Sequence, residues 1–399
     1  MTETIERALV RAASGNDVAP HRAIAPATSM PLEAVAVSDW RALSRDVLEP
    51  NAYYLPDWEL AVNASARGRT GTSVLCARSE ASAPALIGLL PVTSLWRAYK
   101  LPLPALVSGQ PYGTLCTPLL DRISCDSAAS RLLQAARGSG VHALVLRDVA
   151  LDGAAMAAIA TALGRDGLRM RVLQFHARAC LDATRDGDTL LHDALGGRKL
   201  KRLQRQRNHL AEHGQVEFQV ARGPRDVAAA LETFLALEAS GWKGRRGTAL
   251  IQHDGDAAFI RRATTALAET NQCEIVTLRA GATAIAAGIV PRHQGRAFFF
   301  KIGIDERFAS YSPGVQLSLD LTRHLCADPA ITTADSTADP DNTMINPIWR
   351  GRLTIGDVLI PLYRRDPMVD IIDMALRARR SALDLTRRGL HAARNVRRG

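Results

Sequence analysis

Two short strings 200 residues apart most constrain what this chain can become. Ile87-Gly88-Leu89-Leu90-Pro91 and Ala287-Gly288-Ile289-Val290-Pro291 share the order apolar, Gly, apolar, apolar, Pro. Each lies in the second arm of an apolar pattern interrupted by a polar turn: Ser73 to Arg78 with Ala85 to Leu95, and Glu274 to Arg279 with Ala284 to Val290 around Gly281. Short β-type runs on either side of such a turn predict hairpins. A hairpin that recurs with its Gly and Pro in the same places predicts a duplicated domain. The 399 residues leave room for two domains of ordinary size, each with its own core.

Around these hairpins the chain divides into four parts. Residues 1–30 are rich in Ala, Ser and Pro without periodicity and read as a flexible leader. Residues 31–185 form the first domain, with a helix from Ser38, its cap, to about Leu48, strands at Val141 to Arg147 and Arg171 to Cys180, and a helix from Gly153 to about Leu163. Residues 186–365 form the second, opening on a helix from about Leu190 to His213 that Gly214 stops. Residues 366–399 form a basic helical tail whose Val369, Ile372, Leu376, Leu383 and Leu390 mark one face.

The halves differ beyond the hairpin. The first offers Gln110-Pro111-Tyr112-Gly113 and Thr117-Pro118-Leu119, with no evident cofactor site. In the second, a third strand from Arg296 to Asp305 leads to the turn Tyr311-Ser312-Pro313-Gly314 and then an amphipathic helix. Ser is a strong N-cap, Pro suits the first helical position and Gly admits a close ligand. A helix start of this kind presents free N–H groups to a phosphate, or is an ordinary helix start. Tyr311 and Gln316 would add hydrogen bonds or stay solvated.

The formal charge of +10 invites a nucleic-acid reading, but the charge sits in two segments. Arg198, Lys199, Lys201, Arg202, Arg205 and Arg207 contain no acid among them, and the stretch after Met374 carries eight arginines against Asp384. No aromatics alternate with the first cluster for base stacking, so it reads as a solvated helix face. The tail would dock on an anionic membrane surface, meet a partner helix or stay solvated. The six scattered cysteines form no CxxC pair, and no metal site is read from them. The N-terminus lacks a signal-like apolar block, which points to a cytoplasmic protein, peripheral at the inner membrane face if the tail docks there.

Glu49-Pro50-Asn51-Ala52-Tyr53 with Pro56 and Trp58, the string Leu86 to Pro91, Leu237-Glu238-Ala239-Ser240-Gly241-Trp242-Lys243-Gly244, Ile302-Gly303-Ile304-Asp305, Phe308-Ala309, Ser312-Pro313-Gly314 and Trp349 follow one another in an order that is specific as a set. In these segments, which span roughly residues 35–365, the chain resembles the GNAT-superfamily acetyltransferases associated with cellulose and exopolysaccharide biosynthesis, and more distantly the Fem-type transferases of peptidoglycan bridges. The resemblance implies an α/β fold of two tandem GNAT-like domains with mixed central sheets. It implies an acyl-CoA, acetyl-CoA first, whose pantetheine arm lies along a splayed strand at Phe298 to Ile304, with Ile302, Gly303, Ile304, Tyr311, Ser312, Pro313, Gly314, Val315 and Gln316 around it. The family's Gln/Arg-x-x-Gly-x-Gly/Ala motif is not intact: Ala309 stands at its first position, Ser312 replaces a glycine, and Gly314 matches.

Acyl transfer to an amine needs a base for the proton and a donor for the oxyanion. Glu238, His253, Asp305 and Asp335 are candidates, with Glu238 and Asp335 preferred. The bland readings are a surface salt bridge for Glu238, a solvated loop for His253 and a loop cap for Asp305. Trp242, Lys243 and Trp349 would shape the acceptor pocket, or merely pack. The expected function is N-acyl transfer to an amino group of a sugar, an amino acid or a cell-envelope precursor. Fem-type transfer from aminoacyl-tRNA and a non-catalytic, membrane-recruited binding subunit are the alternatives.

Overall fold

The computed structural model describes residues 29–396. The first half runs β1 (Met30–Pro31), α1 (Val37–Arg45), α2 (Pro56–Ser65), β2 (Ser73–Arg78), β3 (Leu86–Ser94), α3 (Leu95–Tyr99), β4 (Ala105–Ser108), β5 (Leu119–Leu120), α4 (Cys125–Gly138), β6 (Ala143–Ala150), α5 (Ala154–Arg165) and β7 (Arg171–Asp182). The second runs α6 (Gly187–Leu210), β8 (Val216–Ala221), α7 (Pro224–Ser240), α8 (Trp242–Arg245), α9 (Asp254–Glu269), β9 (Cys273–Ala280), β10 (Thr283–His293), β11 (Arg296–Phe298), β12 (Lys301–Ile304), α10 (Pro313–Cys326), β13 (Thr333–Asp335), β14 (Gly351–Pro361) and α11 (Pro367–Val396). Most of the leader lies outside the described residues, and its last residue already pairs: Met30 opposes Val74.

Both hairpins form where the alternation places them, and the repeated Pro has a structural meaning. β3 pairs β5 at Gly88 and Leu89 but β4 from Val92 to Ser94. Likewise β10 pairs β12 from Ala286 to Ile289 but β11 at Arg292 and His293. Pro91 and Pro291 stand where the neighbouring strand changes, because a residue without an N–H cannot carry a ladder across. Each hairpin thus faces a strand broken in two, and both halves are mixed α/β layers of one plan.

The halves are not separate sheets. Among the described residues the strands run β1-β2-β3-β4-β6-β14-β7-β13-β11-β10-β9-β8 in one mixed sheet. β14, late in the second half, inserts antiparallel between β6 and β7, while β7 from the first half pairs β13. Each half therefore lends a strand across the 185/186 boundary. The cores merge as well: Tyr53, Trp58 and Leu115 share a cluster with Phe234, Phe259 and Phe298. Aromatics are only 5% of the chain, yet they gather at this seam, with Trp58 centred 5.2 Å from Phe259 and 5.0 Å from Phe300. The expectation of one core per domain is corrected accordingly.

Glu49 and Asn51 also work at the seam. Glu49 Oε2 accepts from the Ala155 N–H at the start of α5, and its Oε1 lies 3.8 Å from Arg296. The Asn51 N–H donates to Nδ1 of buried His293 at 3.0 Å. With Nδ1 accepting, Nε2 carries the proton and donates to the Ser44 carbonyl at 2.7 Å, so His293 is neutral. Val369, Ile372 and Leu376 of α11 pack on the first half beside Val107, Val145 and Leu173. Leu383 is 42% exposed, and the Leu390 side chain lies outside the described ones. Among the described residues no helix is long and apolar enough to cross a membrane.

Candidate active site

β11 runs parallel to β13 up to Phe298 and Asp335, and beyond that point the two strands part. The expected continuous strand from Arg296 to Asp305 is broken at Phe299-Phe300. The Phe299 N–H donates to the Asp335 carbonyl while the Phe300 N–H donates to Ile289, so adjacent amides point to opposite neighbours. Thr337 closes the fork by donating its hydroxyl to the Phe299 carbonyl at 2.7 Å. β12 then continues beside β10 with its other edge free of β13.

A cluster of charge lies against β12. On α7, Val227, Leu231, Phe234 and Glu238 follow the three- and four-residue spacing of a buried face, which carries the Glu238 carboxylate inside. A buried carboxylate is tolerated only with partners. Glu238 has three: Lys243 Nζ at 3.1 Å, Lys301 Nζ at 3.5 Å and the Leu250 N–H at 2.9 Å. Gly241 ends α7, and the single turn of α8 carries Lys243 back to the cluster, where it also donates to the Ile302 carbonyl at 3.2 Å. Gly303 permits the approach: a Cβ there would stand 2.9 Å from the Glu238 nitrogen.

Lys301 is the group that sequence reading missed. Burial lowers its pKa first, Lys243 lowers it further, and Glu238 opposes both without restoring the ordinary value. Its ammonium nitrogen lies 5.8 Å from the Phe300 ring centre and 6.0 Å from that of Tyr112, in the first half. Tyr112 in turn donates its hydroxyl to Asp256 at 2.9 Å. The cluster therefore spans the seam. A lysine in an apolar strand is a visible signal, but its partners sit on other elements far away along the chain, so no local pattern announces the site.

Several expected site residues lie elsewhere or are occupied. Ser312 is left-handed, with φ at 55°, and makes no side-chain cap, so the expected N-cap is corrected. Pro313, Gly314 and Gln316 are buried. A Cβ on Gly314 would meet Met344 Sδ at 2.7 Å and Ile302 at 3.5 Å. Gln316 donates to the Leu203 carbonyl at 2.8 Å, Gln206 donates to Ser310 at 2.9 Å, and Tyr311 meets His213 at 3.2 Å, so α6 lies across the turn. Val315, Ile302 and Ile304 pack within the second core. α6 and Met344 thus pack beside this turn. Asp335 is fully buried, paired with Arg178 at 3.2 Å and accepting from the Thr337 N–H at 2.7 Å, which corrects its role as an accessible base. Trp349 is 1% exposed and donates to Thr322 at 2.9 Å, a core residue with no face on a cleft. Trp242 is half exposed under Arg246, His253 meets Arg67, and Asp305 holds Arg307.

Residues 197–342, which contain Glu238, Lys243, Lys301 and the fork, match the family described as Acetyltransferase (GNAT) domain. The chain has a GNAT-like fold. Two solved structures share it at the level of fold. FemX has a TM-score of 0.54 at 11% identity, over 85% of this chain and 98% of FemX. The C-terminal domain of a putative lysylphosphatidylglycerol synthetase from Agrobacterium fabrum has 0.51 at 13% identity, over 85% of this chain and 95% of that one. No curated protein matches the sequence significantly. The GNAT domain is an acyltransferase domain, and in this chain the Tyr112 ring of the other half lies beside its charged cluster.

Proposed function

We propose that the chain is an N-acyltransferase that moves an acyl group from an activated donor to an amino group of a sugar, an amino acid or a cell-envelope or polysaccharide precursor. The observation that carries this reading is the buried Glu238–Lys243–Lys301 cluster, set against the Ile302 carbonyl where β12 leaves β13 inside the GNAT domain. The amine attacks as a neutral nucleophile in a ternary complex. Lys301, whose basicity burial lowers, takes the amine's proton and passes it to the donor's departing thiolate or ribose oxygen as the tetrahedral intermediate collapses to the amide. Lys243, held beside Glu238, donates to the oxyanion. Glu238 fixes both lysines.

The donor is an acyl-CoA in the first reading, on the strength of the domain match. Aminoacyl-tRNA is the second, favoured by the packing of Met344 and α6 over the turn where a CoA pyrophosphate was expected. Calorimetric titration with acetyl-CoA and longer acyl-CoAs, beside binding of charged tRNA, separates the two. For the chemistry, Lys301→Met is expected to lower kcat by about 10² to 10⁴-fold. Lys301→Arg, which keeps the charge but cannot lose a proton, is expected to be as impaired; full activity in the Arg variant would remove Lys301 from the role of base.

A further inference from the structure

The first half has a fork of its own. β4 runs parallel to β6 only from Ala105 to Val107, while β6 continues to Ala150. The Gly109 N–H turns back to the Pro91 carbonyl, and the Arg147 N–H donates to the Ser108 hydroxyl at 3.0 Å, bridging the fork as Thr337 does in the second half. Beside it lies a cavity of ≈ 270 Å³ lined by Arg67, Arg69, Arg97, Arg147, Ser108 and Gln110, among others.

Four guanidinium groups around one cavity lack the acids that would neutralise them. Among the described residues no carboxylate oxygen lies within 4.0 Å of the guanidinium group of Arg67, Arg69 or Arg97, although Asp256 accepts from the Arg67 backbone N–H at 2.9 Å, and the Arg147 guanidinium has only Asp148, at 4.0 Å. Arg69 donates to Gln110, Arg97 to the carbonyls of Thr70 and Gly71, and Arg67 meets His253, so the neighbours that hold these side chains are neutral oxygens or an imidazole. The carboxyl of Glu59, near Arg69, does not compensate. It is 1% exposed, its Oε2 has no partner, and burial raises its pKa well above the usual carboxyl range. Arg69 itself is made less basic, first by burial and then by Arg147. Arg69 and Arg147 are half-buried while Arg67 and Arg97 are exposed, and four like charges ordered around one cavity suit an anionic ligand.

We infer that this cavity is a phosphoryl-binding site, taking the phosphate or diphosphate of a phosphorylated ligand. Phosphate suits it better than a lone carboxylate, because guanidinium groups arriving from three segments, Arg67 with Arg69, Arg97, and Arg147, match an anion with several acceptor oxygens. Arg69 also lies 5.7 Å from the ring centre of Tyr112, whose ring is 6.0 Å from Lys301. The Tyr112 ring thus stands between Arg69 of this cavity and Lys301 of the charged cluster. That the ligand is the amine acceptor rests on the proposed transferase activity; the binding of phosphate does not.

Pyrophosphate titrated into the full chain tests the site. Wild type is expected to bind it and to gain thermal stability, with affinity falling as salt rises. Gln110→Glu sets a carboxylate against Arg69 and is expected to raise the melting temperature of the free protein while weakening pyrophosphate binding by about tenfold or more. Arg147→Gln should weaken it similarly. Lys301→Met should bind pyrophosphate as wild type does, so loss of transfer and loss of this site are read separately. Competition by pyrophosphate against phosphatidylglycerol vesicles would place the phosphate on a lipid head group, and binding without vesicle association on a soluble molecule. No binding to wild type, or unchanged binding in folded Gln110→Glu and Arg147→Gln, would overturn the inference.

Discussion

Among single residues, Glu274 shows how far partners can reverse the cost of burial. Burial pushes its carboxyl up, but His324 at 2.7 Å, Arg292 and Arg222 at 3.0 Å outweigh it and bring the pKa to about 2. A carboxylate whose folded pKa is depressed stabilises the fold above its unfolded pKa and loses that contribution as pH falls. The window here lies between 4.5 and about 2, and the contribution at stake is about 3 kcal/mol. Urea unfolding at pH 6 and pH 3 should show a steep acid loss that Glu274→Gln flattens; equal slopes in the two proteins would discount the network. Glu238 is the contrasting case. The sequence offered it as a candidate base or a surface salt bridge but not its buried partners, since Lys301 and Leu250 meet it only in three dimensions.

At the scale of elements, β14 has the most exacting place. It carries bulges against both neighbours near Gly356, with the Asp357 carboxylate accepting from the Asp148 N–H at 2.9 Å and from Gln174. A Cβ on Gly356 would run into the Gln174 carbonyl and Leu151. Because a backbone atom cannot swing aside, Gly356→Ala is expected to destabilise by about 1–3 kcal/mol, measured as a lower urea midpoint with an unchanged slope. A wild-type midpoint would mean that the bulge has slack. The two hairpins were legible because alternation is local. The break between β11 and β12 was not, since Phe299 and Phe300 have every property of strand residues and the break shows only in the partners of the two strands, β13 beside β11 and β10 alone beside β12.

For the whole molecule, the exchange of β7 and β14 makes the halves mutually dependent. A fragment ending at residue 185 keeps β6 and β7 but lacks the strand between them, leaving long unpaired edges. Residues 31–185 and 186–399, produced apart, are therefore expected to aggregate or remain unfolded, while the joined chain melts in one transition. Independent cooperative folding of either fragment by circular dichroism would contradict the interlock. The sequence by itself determined the repeated hairpins and several of the helices, because spacing along the chain encodes burial along one element, and its resemblance carried the GNAT-like plan and the choice of Glu238 and Lys243 as site residues. Only the tertiary structure decided that α6 and Met344 cover the helix start at Ser312, that Asp335 and Trp349 are sealed inside, and that Lys301 completes the charged cluster. Those outcomes depend on which surfaces meet in three dimensions, and contacts between distant segments leave no periodic trace in the order of residues.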